Sequence, residues 1–153
     1  MADRRPLTVA ETQAARQVFG NEIDYTRVVV HRGKYIFFQP SDTAMTPNGE
    51  IYFPEPVYKA DFSTAINDRS WLIHELTHVW QYQHGVNVRL AAPFSRNYHY
   101  GKITAKTRFS DLNIEQQASL VADYYLIVQG YNPQQGSGTL AEYRAVIPFL
   151  PTR

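Results

Sequence analysis

The run Trp71-Leu72-Ile73-His74-Glu75-Leu76-Thr77-His78-Val79-Trp80 decides the fold, because it predicts a buried helix at the centre of the chain. The sequence from Asp68 to Gln83 contains neither Gly nor Pro, and Gly85 follows as a helix stop. We predict the N-cap at Asn67 or Asp68. The apolar side chains of the run point in nearly every direction around the axis, so we expect burial on most sides.

The two histidines of this run have the spacing of a metal site. Residues four apart lie on one face of a helix, so His74 and His78 can bind one Zn²⁺ between them. A catalytic zinc has three protein ligands and one water whose pKa falls towards ~7, and the adjacent Glu75 would take the proton of that water. The alternative is a chance spacing on a solvated helix. The apolar flanks disfavour it, because burying these groups unpaired is costly.

A third protein ligand is needed, and we predict that Glu115 supplies it. Glu115 lies at the start of a later predicted helix, where the helix dipole favours an acidic side chain, and small residues follow it on the same face. His84 has the histidine spacing of the metzincin pattern, but Gln81 stands where that pattern requires glycine. On a continuous helix, His84 would also lie ~15 Å from His74 along the axis. A solvated first-turn carboxylate is the alternative for Glu115.

Two supporting roles stay open at the level of sequence. A carboxylate could accept a hydrogen bond from a ligand histidine and so orient it. The candidates are Asp123, Asp61 and Asp68, and a surface or capping role is as well supported for each. Hydrolysis also needs a hydrogen-bond donor to the oxyanion of the transition state. The candidates are Arg96, Tyr98, His99 and Tyr100, and an ordinary packing role is the alternative for each. His31 is expected to be a surface or packing histidine without a functional role.

Three further helices are predicted from capping patterns. Thr8 and Glu11 have capping-box spacing before a helix that ends at Phe19. Asn113 and Gln116 open the helix that contains Glu115, which continues to Gly130. A short helix begins at residues 139–142 and must end at Pro148.

Three β-rich runs, residues 27–30, 35–38 and 51–53, predict a small antiparallel sheet between the first and central helices. The segments 32–34 and 47–49 act as turns between them. Residues 54–67 are predicted to be irregular. Residues 85–110 are predicted to be a long connection, which is uncommon unless functional, and we expect them to form a cleft wall.

Composition narrows the class of protein. A chain of 153 residues with 44% hydrophobic and 19% charged residues is expected to form one globular domain over residues 1–153. The formal net charge of +1 comes without a basic block, so nucleic acid is not an expected partner. The absence of cysteine restricts metal ligands to His, Asp and Glu. We see no secretory signal peptide and no membrane span, so we expect synthesis in the cytoplasm.

The motif pair His74-Glu75-x-x-His78 and Asn113-Ile114-Glu115-Gln116-Gln117-Ala118 resembles the gluzincin group of zinc peptidases. A wider pattern resembles small bacterial Rhs- or Vgr-related proteins associated with type VI secretion. It covers most of residues 7–128 and consists of Leu7-Thr8, Val18-Phe19-Gly20, Met45-Thr46-Pro47-Asn48-Gly49, residues 74–81 and Glu115-Gln116-Gln117-Ala118.

These resemblances imply an α+β, zincin-like fold in which a small antiparallel sheet packs on the HExxH helix and a second, glutamate-bearing helix. They also imply zinc binding and export by a type VI secretion system as an effector or accessory peptidase. Ser119 and Asp123 follow Glu115, whereas thermolysin-like enzymes have an aspartate four residues after the glutamate. The groups that surround the ligands are therefore expected to differ from those enzymes.

We therefore expect a zinc peptidase that hydrolyses a protein or peptide substrate, with water activated by Glu75 and an edge of the sheet holding the extended substrate. Two alternatives remain. One is an adaptor module of a secretion system, in which zinc is structural and the cleft docks a partner. The other is a toxin amidase that acts on cell-wall peptide.

Overall fold

The computed structural model describes residues 3–91 and 96–151 and has an α+β architecture. Its helices are α1 (Val9–Phe19), α2 (Ile66–Gln83), α3 (Val88–Ala91), α4 (Ile114–Val128) and α5 (Leu140–Val146). Its strands are β1 (Arg4–Arg5), β2 (Val30–Arg32), β3 (Ile51–Phe53), β4 (Gly101–Lys102) and β5 (Gly136–Ser137). Among the described helices, none combines the length and apolarity that a membrane crossing requires.

Three helices begin at the capping boxes that the sequence predicts. Thr8, Asn113 and Thr139 cap α1, α4 and α5, and in each case the side chain three residues later bonds back to the cap. These reciprocal bonds satisfy backbone N–H groups that a helix otherwise leaves unpaired at its start. The start of α4, and with it the position of Glu115, is therefore fixed locally.

The central helix α2 begins earlier than predicted. Its N-cap is Ala65, which makes no capping hydrogen bond, so the predicted caps Asn67 and Asp68 lie inside the first turn. Asp68 pairs there with Lys59 at 2.6 Å. The helix ends as expected, with Gly85 at φ 92° in the left-handed region that favours glycine. Eight of the 18 residues of α2 are buried, and its principal packing partner is α4.

The sheet is mixed, not antiparallel as predicted. Strand β2 lies between β1, with which it is antiparallel, and β3, with which it is parallel. The parallel pairing requires a connection that returns to the same end of the sheet. Residues 33–50, which we call the crossover segment, make this connection between β2 and β3. The first predicted strand is displaced, because Tyr25–Arg27 form a 3-10 turn and the strand begins at Val30.

Residues 35–38 of the crossover segment do not form the predicted strand but a series of bends and turns. The buried side chain of Gln39 makes the hydrogen bonds that a neighbouring strand would otherwise make. Its oxygen accepts from the backbone N–H of Tyr35 at 2.7 Å. Its NH₂ group donates to the carbonyls of Thr43 and Tyr52 at 2.7 and 3.1 Å. Phe37 and Phe38, 89% and 68% exposed, belong to no sheet face. Their β propensity is thus overridden by side-chain bonding.

Residues 54–65 are irregular, as predicted, and the long connection after α2 is partly structured. It contains α3, strand β4 and a 3-10 turn at Phe109–Asp111. Strand β4 pairs in parallel with β5, which tethers the connection to the segment before α5. The main core fills the space between α1, the sheet, α2, α4 and α5.

Candidate metal centre

Three predicted ligands converge where α2 meets the start of α4. His74 Nε2 lies 3.0 Å and His78 Nε2 lies 2.8 Å from the same carboxylate oxygen, Glu115 Oε1. One ligand atom from each residue lies within 4.8 Å of the other two. In the described part of the chain this is the group of His, Asp and Glu side chains with metal-binding geometry.

The donor set fits a zinc ion. Two imidazole nitrogens and one carboxylate oxygen are ligands that zinc prefers, and bonds of ~2.0–2.2 Å at tetrahedral angles separate ligand atoms by ~3.3 Å. The two contacts to Glu115, 3.0 and 2.8 Å, need to open by only a few tenths of an ångström to reach that spacing. Because the two imidazole nitrogens also lie within 4.8 Å of each other, side-chain rotations would bring the three ligand atoms to the spacing that the ion requires.

The orientation of His78 is determined by a residue whose role the sequence did not reveal. His78 Nδ1 lies 2.8 Å from Gln81 Oε1, and the amide nitrogen of Gln81 bonds to the carbonyl of Ile114 and to Gln117 Oε1. In the sequence, Gln81 disfavours the metzincin pattern and belongs to the resemblance to type VI secretion-related proteins, but neither observation assigns it a role at the metal site. Its position three residues after His78, on the same face of α2, was the available signal.

The charge of Glu115 favours the protonated, positively charged form of the neighbouring His78. Burial alone would lower the pKa of His78, but the Glu115 carboxylate raises it to about 9. Burial alone would raise the pKa of Glu115, but His78 and His74 lower it well below its usual range. The carboxylate therefore stays ionised throughout the neutral range, as a metal ligand must.

Glu75 lies next to the ligands and is itself held by a partner outside α2. The hydroxyl of Thr46, in the crossover segment, donates to Glu75 Oε1 at 2.8 Å. Both residues are buried, at 4% and 5% exposure. The crossover segment thus fixes the orientation of the predicted catalytic carboxylate.

The four predicted site residues line one cleft of about 1040 Å³. One wall comes from α2 and α4, and another comes from the crossover segment. Val88, Arg89, Arg96 and Tyr98 also line the cleft, which agrees with the expectation that residues 85–110 form part of its wall. The ligands therefore face a space large enough for part of a polypeptide.

The candidates for the oxyanion donor separate into two pairs. Tyr98 stacks on His74 with ring centroids 5.9 Å apart, and burial, followed by the charges of Glu115 and Glu75, raises its pKa to about 12. Tyr98 thus remains a proton donor at neutral pH, and Arg96 lines the same cleft. Tyr100 instead donates to Asp123 at 2.6 Å and bonds to Tyr143, and His99 is exposed outside the lining.

The three aspartates proposed as partners of a ligand histidine have other roles. Asp123 accepts from Tyr100 and from the backbone N–H groups of Gln134 and Gln135, both at 2.9 Å. Asp61 accepts from Ser63 and Thr8. Asp68 pairs with Lys59, as described above. Apart from Glu115 itself, the described hydrogen-bond partner of a ligand histidine is the amide of Gln81, which contacts His78 Nδ1, and not one of these aspartates.

The remaining two histidines lie away from the cluster. His84 stacks on Trp80, and its Nδ1 contacts the Trp80 carbonyl at 2.8 Å. His31 bonds to Glu50 at 2.6 Å and stacks on Tyr52. These packing and surface contacts agree with the expectation that neither histidine belongs to the site.

Comparison with known proteins identifies relatives but no family model that matches the sequence. The chain is 42% identical over 132 residues to the type VI secretion system spike protein VgrG2b of Pseudomonas aeruginosa; the match covers 80% of this chain and 13% of the spike protein. The solved effector domain of P. aeruginosa VgrG2b superposes with a TM-score of 0.78 at 35% identity, covering 92% of this chain and 80% of that domain. The chain therefore belongs to the family of the VgrG2b effector domain.

Proposed function

We propose that this protein is a zinc-dependent peptidase with a zincin-like fold that acts as a type VI secretion effector. The observation that supports the chemistry best is the convergence of His74 Nε2, His78 Nε2 and Glu115 Oε1 beside Glu75, at the wall of an open cleft. The relation to a spike protein and its effector domain supports the place in secretion. A secretion component is accordingly a proposed partner.

The number of ligands favours catalysis over a structural zinc. Structural zinc sites are closed by four protein ligands, whereas catalytic sites keep one position for water or substrate. Within residues 3–91 and 96–151, the cluster contains three ligands, and all three line the cleft. The fourth position would therefore open towards the space in which a substrate lies.

The chain's own residues supply the acid, base and orientation that hydrolysis requires. A bound zinc would supply an electrophile that acidifies water and polarises the scissile carbonyl. Glu75 takes a proton from the attacking water and passes it to the leaving amine. The Thr46 hydroxyl occupies one oxygen of Glu75 and holds the carboxylate in place for this transfer. Tyr98, protonated at neutral pH, donates to the developing oxyanion.

An extended substrate cannot add directly to the outer edge of β3. Met45 already covers the outer edge of β3, through two backbone bonds with Tyr52 of 3.1 and 2.8 Å. Because backbone groups alternate in direction along an extended strand, those of Ala44 and Thr46 face away from β3. Both residues line the cleft. We infer that a peptide adds alongside residues 44–46, directly beside Glu75.

Elemental analysis and peptide cleavage test this proposal. We expect about one zinc per chain and cleavage of an unstructured protein such as casein or of a peptide library. Glu75→Gln should lower the cleavage rate by ~10²–10⁴-fold, because a general base contributes that much. Glu22→Gln, on the surface, provides a matched control that should retain the wild-type rate.

Three other outcomes would contradict this proposal or favour one of its alternatives. Full cleavage by the Glu75→Gln variant would contradict the mechanism. Zinc binding without cleavage of any protein, peptide or wall substrate would favour the adaptor alternative. Release of fragments from purified peptidoglycan, with no cleavage of protein, would favour the cell-wall amidase.

A further inference from the structure

The amide side chain of Gln117 has only one orientation that satisfies its neighbours. One of its ends faces the backbone carbonyls of Phe109 and Leu112, at 3.0 and 3.3 Å. A carbonyl oxygen can only accept a hydrogen bond, so this end must be the NH₂ group of Gln117. Its oxygen is therefore directed at the next amide, Gln81.

The same reasoning fixes Gln81. One end of its amide lies 2.9 Å from Gln117 Oε1 and 3.0 Å from the Ile114 carbonyl, both of which are acceptors. The NH₂ group must occupy this end, and the oxygen must face His78 Nδ1 at 2.8 Å. Because that oxygen can only accept, His78 Nδ1 carries the hydrogen, and the lone pair of neutral His78 lies on Nε2.

We propose that Gln81 and Gln117 form an amide relay that positions His78 as a zinc ligand through Nε2. Three backbone carbonyls determine the direction of every hydrogen bond in the relay, and the last bond selects the tautomer of the imidazole. This role rests on the zinc site proposed above. Gln81 is a positioning residue, since it touches a ligand and not the reacting atoms.

The relay also places the carboxylate ligand. Ile114, which accepts from Gln81, is the first residue of α4 and precedes Glu115 directly. The side chain of Gln81 thus bonds directly to His78 of α2 and to the backbone carbonyl of Ile114, which precedes Glu115 in α4. It is fully buried, at 0% exposure, so water does not compete for these bonds. Outer partners of this kind hold metal ligands in their binding geometry.

A neutral amide distinguishes this site from one that uses a carboxylate partner. A carboxylate in place of Gln81 would face the Ile114 carbonyl and Gln117 Oε1 with no hydrogen to donate. It would also add a charge to a site that already contains Glu75 and Glu115. The relay therefore requires an amide at position 81.

Nuclear magnetic resonance of the zinc-loaded, ¹⁵N-labelled protein tests the tautomer directly. We expect the ring nitrogens of His78 to give the shift of a protonated Nδ1 and of a zinc-ligated Nε2. A hydrogen on Nε2, with Nδ1 as the ligand, would overturn the proposal even if the protein is an active peptidase. Failure of the wild type to bind zinc would instead overturn the proposed function.

Variants that remove the relay test its effect on metal binding. Gln81→Met keeps the length of the side chain but loses its bonds, and we expect zinc affinity, measured by competition with a chromophoric chelator, to fall ~10–100-fold. The absorption spectrum of the Co²⁺-substituted variant should also change, which a loss of stability alone would not cause. Gln83→Met, on the same helix but bonded to Asp24, is the matched control.

Gln117→Met provides a second test if Gln81→Met does not fold. We expect a smaller loss of zinc affinity, because Gln81 would keep its bond to the Ile114 carbonyl. The double variant should lose little more than Gln81→Met alone, since both belong to one chain of bonds. Wild-type zinc affinity and an unchanged Co²⁺ spectrum in folded Gln81→Met or Gln117→Met would overturn the relay.

Discussion

Helix α4 presents two carboxylates to the same cleft, and they serve different purposes. Glu115, in the first turn, meets two imidazoles that can each give up a proton and accept a metal. Asp123, two turns later, meets two backbone N–H groups and the Tyr100 hydroxyl, whose pKa burial and hydrogen bonding raise well above its usual range, so these partners keep their protons near neutral pH. Burial does not distinguish the two sites, because both carboxylates are largely buried. What distinguishes them is whether the partners of the carboxylate can exchange a proton for a metal.

The pKa values of the two carboxylates move in opposite directions. Burial would raise both, and the neighbouring histidines reverse the effect only at Glu115. At Asp123 burial prevails over its three hydrogen bonds, and the pKa is raised. A buried carboxylate with neutral donors is thus a structural anchor, here for the segment that contains Gln134 and Gln135. A buried carboxylate shared by two histidines is a candidate ligand.

The largest expected effect that separates the two sites is on zinc affinity. Glu115→Gln should weaken zinc binding by ~100-fold or more, because losing even an outer partner costs ~10–100-fold. Asp123→Asn should change it by only a few-fold. Isothermal titration of zinc into both variants measures the difference, and equal losses would contradict the distinction between ligand and anchor.

The second effect is on folding stability, and here the larger change is expected at the Asp123 site. Tyr100→Phe removes the hydroxyl that links Asp123 to Tyr143 and should lower the free energy of unfolding by about 1–3 kcal/mol, because a buried acceptor loses its donor. Zinc affinity should stay at the wild-type value. Urea unfolding provides the measurement, and Tyr131→Phe, whose side chain is 52% exposed, is the control. A large loss of zinc affinity in Tyr100→Phe would show that the sites are coupled.

The smallest effect is the pH dependence of stability in chelator-treated protein. The pKa of folded His78, about 9, lies above its ordinary value of 6.5, so its contribution is complete below pH 6.5 and is lost as the pH rises through about 9. The lowered pKa of Glu115 gives a contribution that is present above 4.5 and lost at lower pH.

Stability from this pair should therefore be highest between about pH 5 and 6.5 and fall by on the order of 3 kcal/mol by pH 9. Urea unfolding at a series of pH values measures it. Asp123→Asn should retain the loss between pH 6.5 and 9, and Glu115→Gln should flatten it. An unchanged slope in Glu115→Gln would mean that other groups cause the dependence.

The sequence predicted the parts of the fold that depend on local chemistry. The capping boxes of α1, α4 and α5 involve residues three apart, so their pattern is visible without the fold. The approach of Glu115 to the histidines was predicted because the proposed chemistry required a third ligand. The start of α2 was missed because Ala65 caps it without a side-chain bond.

The parts that could not be predicted depend on contacts between distant residues. The mixed sheet follows from how β2 and β3 pair across the crossover segment, which local propensity does not encode. The failure of residues 35–38 to form a strand results from Gln39, whose partners include Tyr52. The role of Gln81 likewise depends on Ile114 and Gln117, more than thirty positions away.

The walls of the cleft have separate origins in the chain. The wall with the candidate metal ligands belongs to the packed helices α2 and α4, whereas another wall belongs to the crossover segment, which Gln39 helps to hold in place. Mutations in a connecting segment are tolerated better than mutations in packed helices. Natural variation or directed evolution can therefore change which molecules enter the cleft by altering the lining residues Tyr35, Ile36, Phe38 and Asp42, while Gln39 and the candidate metal ligands are retained.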